Sequence, residues 1–171
     1  MKYFIIEKDK KFYSSPQFKS WHQDINFLPE SRHYSLEKRK AFFIKDSEFL
    51  FWTDIISSPV FLISEKVKEV VKLYDNKLKM KQIILIEPKI AEMGVYYLPI
   101  FEEIYCLAGK DDIDSKEIAE KIILKREKIK DKPIFKIGGF NKRYIVARMD
   151  LVESILKREV KGINLIEMKV L

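Results

Sequence analysis

A chain of 171 residues, 47% hydrophobic and 13% aromatic, is long and apolar enough to bury a core in one domain without help from metals or disulfides. That composition excludes a disordered chain, and the single cysteine, Cys106, excludes an intrachain disulfide or a cysteine-based metal site. A net charge of +7 admits nucleic acid, an anionic membrane surface or an acidic protein as partners, although the cations are spread along the chain as on an ordinary solvated surface.

Taken in chain order, "KYFIIE" (Lys2 to Glu7) predicts a short strand. Its four apolar residues are too few for the hydrophobic region of a signal peptide, and no later run approaches a membrane span, so a soluble cytoplasmic protein is the expectation. "SSPQFKSWHQDINFLPESRHYS" has two prolines and no clean period, and reads as irregular structure holding Trp21, His22 and His33. "AFFIKDSEFLFW" (Ala41 to Trp52) reads as two short strands about a turn at "KDSE". Pro59 begins a strand over Val60 to Ile63. Ser64 is then a helix N-cap, because Val67, Val70, Val71 and Tyr74 fall on one helical face.

"QIILIEP" (Gln82 to Pro88) is a strand stopped by proline, and "GVYYLPI" and "EEIYCLA" are two more strand segments. Cys106, in the second of these, reads as a buried structural thiol. In "DDIDSKEIAEKIILKREKIKDKP", Asp114 and Glu117 have capping-box spacing, and Ile118, Ala119, Ile122, Ile123 and Ile129 mark a helical face. "IFKIGGFNKRYIVA" predicts a hairpin with its turn at "GGFN". Asp150 starts a last helix carrying Leu151, Val152, Ile155 and Leu156, Gly162 supplies a turn, and "INLIEMKV" is the final strand.

Two stretches repeat one pattern, "FLISEKVKEVVKLYDNKLKMKQIILIEP" and "YIVARMDLVESILKREVKGINLIEM". Val67, Glu69 and Val71 match Leu151, Glu153 and Ile155 at an offset of 84, whereas Ile84 to Glu87 match Asn164 to Glu167 at an offset of 80. The difference assigns four extra residues to the first connecting loop, a thermodynamically cheap change. The fold expected is a single α+β domain over 1–171, a mixed β-sheet with about three helices, containing two pseudo-repeated strand–helix–strand units at 59–88 and 143–171.

Four segments carry a family resemblance: Lys2, Tyr3, Phe4 and Ile5; "DIISSPVFLISEKVKE" from Asp54 to Glu69; Tyr96, Tyr97 and Leu98; and Val146, Asp150 to Leu156, Gly162 and Ile163. In that order they match the opening strand, central segment, middle strand and closing motif of an immunity-protein family of bacterial polymorphic toxin systems, first catalogued as a domain of unknown function, which the sequence resembles. The resemblance implies a small cytoplasmic protein that neutralises a toxin by binding it, with no chemistry of its own. Many immunity proteins are acidic because many toxins are basic nucleases; a net charge of +7 points instead to an acidic toxin domain.

No zinc-protease, phosphate-loop, nucleophile-elbow or dinucleotide signature is present, and no catalytic, cofactor-binding or metal-binding residue is assigned. "DDID" (Asp111 to Asp114) reads as a solvated loop at a helix start rather than a cation site, and "SLEK" (Ser35 to Lys38) as a chance Ser-x-x-Lys pair. Gly138 and Gly139 with Lys142 and Arg143 read as a hairpin turn rather than a phosphate nest. The basic runs make a nucleic-acid-binding module the second reading and an unrecognised enzyme the third. Trp21, His22 and Trp52 are the candidate partner-binding anchors, with core packing the competing role for at least one tryptophan.

Overall fold

Eleven strands and three helices follow one another through residues 1–20, 37–108, 122–140 and 142–171, which the computed structural model describes. In order they are β1 (Tyr3–Lys8), β2 (Arg39–Phe43), β3 (Ile55–Ile56), β4 (Leu62–Ser64), α1 (Glu65–Tyr74), β5 (Met80–Glu87), β6 (Glu92–Pro99) and β7 (Glu103–Ile104). After them come β8 (Ile123–Leu124), α2 (Arg126–Ile129), β9 (Ile134–Ile137), β10 (Ile145–Arg148), α3 (Met149–Leu156) and β11 (Ile163–Val170). The strands form two mixed sheets, ordered β2-β5-β6-β4-β3 and β7-β9-β10-β1-β11-β8, so the fold is α+β.

The two sheets are variations on one unit. In the first half, β4 and β5 flank β6, and both run antiparallel to it, so β4–α1–β5 is a crossover with a strand inserted in its middle. In the second half, β10 and β11 flank β1 in the same way around α3. The likeness extends outwards. The β3–β4 hairpin answers to the β9–β10 hairpin, and β2, parallel to β5, answers to β8, parallel to β11. The inserted strand is β6, which follows its unit, in one half and β1, the first strand of the chain, in the other.

Local chemistry explains where α1 and α3 start. Ser64 stays extended and its hydroxyl accepts from the Val67 N–H at 3.4 Å, so α1 begins at Glu65. Val67, Val70 and Val71 are buried, each burial stabilising by roughly 1.5–3 kcal/mol. Arg148 begins α3 without a side-chain cap of its own. Instead its guanidinium makes two bonds of 2.8 Å to Asp150, whose Oδ1 accepts from Leu151 N–H. The predicted face of α3 is buried at Leu151, Val152 and Ile155, while Leu156 is 47% exposed.

The helices meet each other. The Tyr74 hydroxyl lies 2.9 Å from the Asp150 carbonyl and 2.6 Å from Ser154 Oγ. The central core cluster draws on both helices and one face of each sheet: Val67, Val70, Leu151 and Ile155 with Ile55, Ile63, Ile6 and Ile145. A second cluster, around Phe135, Val146 and Leu124, covers the other face of the second sheet, and a third, around Leu62, Leu85 and Tyr96, covers the other face of the first.

Three expectations change. Residues 48–52 form no strand; Phe51 N–H instead bonds Ser14 O at 3.0 Å while its ring packs on Phe12. The helix expected from Asp114 to Ile129 is contradicted over Ile123–Leu124, which pair in parallel with Lys169 and Val170 of β11; among the described residues of that span only Arg126–Ile129 are helical. The ladder to a distant strand overrides the local isoleucine spacing. The rest of that helix, with Ile118, Ala119 and 111–114, lies outside the described residues, as do Trp21, His22, His33 and Ser35.

The third change concerns the closing strands. Ser64 and Arg148 stand at the same point of their units, 84 positions apart. Each sits beside a tyrosine of the inserted strand, Tyr96 and Tyr3, and those tyrosines pair with Ile83 and Met168, which are 85 positions apart. The structural offset of the closing strands is thus 85, not the 80 that the matching letters suggest. An odd change of register moves every side chain to the opposite face. Glu87 and Glu167, alike in sequence, accordingly behave differently. Glu87 is fully buried and accepts from Lys89 N and Ile90 N, whereas Glu167 is half exposed and pairs with Lys2 at 2.9 Å.

Candidate binding surface

Of the three predicted anchors, only Trp52 is described. It is half-buried and packs against the third core cluster, with its ring centroid 6.3 Å from that of Tyr96. A Cβ at Gly94 would sit 2.5 Å from the indole, so the glycine makes room for it. Its Nε1 donates to Glu92 at 2.9 Å. Trp52 is therefore a wedge at the edge of the core, which is the packing role that competed with the anchor role.

Asp54 and Gly162 form an interlock between the halves. Asp54 accepts from Ser64 Oγ at 2.5 Å and from Lys161 N–H at 2.7 Å, and its own N–H donates to Lys161 O at 2.9 Å. Its carboxylate thus joins the start of α1 to the loop before β11. Beside it Gly162 has φ +76°, and a Cβ there would lie 2.6 Å from Thr53 Cγ2. Both a left-handed backbone and a close approach demand glycine at this point.

Among the described residues no three His, Cys, Asp or Glu side chains gather as metal ligands would. Burial pushes the Cys106 thiol up to about 11, which keeps it a poor nucleophile. A cleft of about 310 Å³ is lined by Lys8, Ser15, Lys45, Ser57 and Ser58 among others, with no carboxylate or imidazole among the described residues of its lining. Lys8 Nζ there donates to Ser15 Oγ at 2.7 Å and to Phe12 O at 3.2 Å. The ammonium pins the turn after β1.

The most distinctive surface is a sheet face. On the helix side of β2, β5 and β6 the cross-strand register sets Phe43 beside Ile86 beside Met93, and Ala41 beside Ile84 beside Val95. α1 covers β4 and the near part of β6 but leaves these two rows open: Met93 is 70% exposed, Phe43 56% and Val95 39%. Ile84 and Ile86 are half-buried between them, and Ile90, at the turn beyond, is also exposed. Contiguous apolar surface of this kind marks interaction sites in soluble proteins.

Charged groups border the rows at both ends. The next row holds Arg39, whose Nε bonds the Gln82 side chain, and Tyr97. Lys68 Nζ lies 4.0 Å from the Tyr97 ring centroid, and Glu65 bonds both Lys68 and the Tyr97 hydroxyl. Partial burial works to raise the Glu65 carboxyl, but the bonds from Lys68 and Tyr97 prevail and hold it below its ordinary value. At the opposite end Lys89 pairs with Asp46 at 2.6 Å. Two adjacent apolar rows are legible in the sequence only as the unbroken run "IILI"; which of its faces stays open depends on where α1 lies.

Models of known protein families matched no part of the chain, and neither did curated proteins. Among the described residues no helix is long and apolar enough to cross a membrane.

Proposed function

We propose that this chain is a non-catalytic cytoplasmic immunity protein, which neutralises a bacterial toxin domain by binding it. The observation that carries the reading is the resemblance, whose matched segments fall on β1, on β3 through the start of α1, on β6 and on β10 through the start of β11. They hold elements of both halves and both residues of the interlock, Asp54 and Gly162. An open apolar face supports binding as the activity. A net charge of +7 favours an acidic partner.

The test is co-expression with the toxin domain encoded beside this chain's gene. Restored growth is the expected result. Undiminished killing, with the chain present in soluble form, would refute the reading.

A second reading, a nucleic-acid-binding module, rests on the cations of residues 125–132, which include Lys125, Arg126, Lys128 and Lys130. It predicts retention on duplex DNA or single-stranded RNA that weakens steeply with salt. Passage through both columns at about 0.05 M salt would dismiss it.

A further inference from the structure

The run Ile83–Ile86 in β5 has the composition of a strand buried on both faces. The fold buries only one. Ile83 and Leu85 are 1% and 0% exposed in the third core cluster, while Ile84 and Ile86 look towards open solvent between Phe43, Met93 and Val95. The face is exposed apolar surface of the kind that marks interaction sites.

The second half supplies an internal control. With Tyr96 placed on Tyr3 and Ile83 on Met168, Val95 corresponds to Lys2 and Ile84 to Lys169. Phe42, paired with Leu85, corresponds to Leu124, paired with Val170, so Phe43 corresponds to Lys125. Where the first half has phenylalanine, isoleucine and valine, the second has three lysines. There Lys2 and Glu167 form an exposed ion pair of 2.9 Å. The architecture itself therefore does not require apolar residues at these positions.

We propose that the helix-side face of β2, β5 and β6 is the docking surface for the toxin domain. Its occupant presents an apolar strip edged by carboxylates. The identity of the occupant rests on the immunity reading above; the location of the surface rests on the two apolar rows. The rim carries Arg39 and the ion pairs Lys68–Glu65 and Lys89–Asp46, an excess of one cation, on a chain of net charge +7. Two copies of this chain would each bring that net positive charge to the contact, whereas a partner carrying carboxylates would be attracted to it.

The experiment measures, by calorimetry, the affinity of the full-length chain for the adjacent toxin domain made harmless by substitution. Phe43→Lys and Val95→Lys install in the first half what the second half already carries, and Met93→Glu is a third variant at the most exposed position. Each should weaken binding at least about 10-fold, and Phe43→Lys with Val95→Lys together at least about 100-fold, as expected for the centre of an interface. Lys125→Phe, the reverse exchange on the second half, should change affinity less than about threefold, as at a position outside the interface.

Unchanged affinity in the first three variants, with the wild-type chain binding, would place the interface elsewhere and leave the immunity reading intact. Failure of the wild-type chain to bind would remove the immunity reading and this occupant with it. A wild-type dimer that Phe43→Lys dissociates would make the occupant a second copy. A fall of more than about 10 °C in the melting temperature of free Phe43→Lys would mean that this chain's own residues cover the face. Either of these last results overturns the proposal.

Discussion

In the second half Lys2, Lys125 and Lys169 hold the positions that Val95, Phe43 and Ile84 hold in the first. The buried positions behave oppositely: Phe42 and Leu124, Ile83 and Met168, and Tyr96 and Tyr3 are all buried. Packing constrains one face of each sheet to the same chemistry, and the solvent side is free to diverge. An apolar solvent side is therefore informative in a way that an apolar core is not.

The halves also differ in how they are held. Asp54, one residue before β3, bonds Ser64 and Lys161; its counterpart before β9 is Pro133, which offers only a carbonyl, to Arg148 N–H at 2.9 Å. The corresponding backbone bond, Ser64 N–H to Asp54 O, is also 2.9 Å. The carboxylate is an addition to a shared backbone arrangement, and it is the part that reaches across to the other half.

The sharpest way to break this asymmetry is Gly162→Ala. A left-handed alanine costs about 1–2 kcal/mol, and the overlap with Thr53 adds about 1–3 kcal/mol. A loss of about 3 kcal/mol in urea denaturation is expected. Gly139→Ala isolates the conformational part, because φ is +87° but the nearest atoms, in Tyr105, are 3.9 Å away; about 1 kcal/mol is expected. Equal losses at the two sites would mean that Thr53 yields freely.

Asp54→Ala comes next. It leaves the Lys161 N–H and the Ser64 hydroxyl without their acceptor, at an expected cost of about 2 kcal/mol. Chemical denaturation at neutral pH reads it, and a change under about 0.5 kcal/mol would remove Asp54 from the interlock.

Acid should act on the start of α3. The Arg148 guanidinium holds the Asp150 carboxyl below its ordinary value, helped by the Leu151 N–H. A carboxyl depressed in the folded state contributes stability above its unfolded value of about 3.9, and that stability is lost as pH falls through the folded value. Asp150→Asn should therefore lower the urea midpoint at pH 7 and flatten its decline as pH falls below about 4. Parallel curves for variant and wild type would contradict this. The smallest effect belongs to Lys2→Ala, since the Lys2–Glu167 pair is more than half exposed on both sides. Less than about 0.5 kcal/mol is expected.

What could be read beforehand was local. The cap at Ser64, the valine face of α1, the hairpin about Gly138 and Gly139, and the final helix and strand all follow from spacings of a few residues. The insertion of β6 between β4 and β5, and of β1 between β10 and β11, leaves no local trace, because pairing partners up to 165 positions apart decide it. Matching letters misled where they crossed a change of face. The "IE" that ends both apolar runs places Glu87 in the core and Glu167 in solvent. Trp52 drew attention as a large aromatic, yet the signal for its role was Gly94, the small residue beneath it. The open face was written as "IILI", but only the register shows which isoleucines lack cover.

Methionine oxidation gives the most direct test of the divergence between halves. Met93 and Met1 are similarly exposed, at 70% and 72%, and lie on the first and second halves respectively. Peroxide footprinting of the free chain should oxidise both. In a complex with the proposed toxin partner, oxidation of Met93 should slow at least about 10-fold while that of Met1 is unchanged, since interface centres exclude water. Protection of Met1 with Met93 still reactive would contradict the assignment and move the interface to the lysine-bearing half.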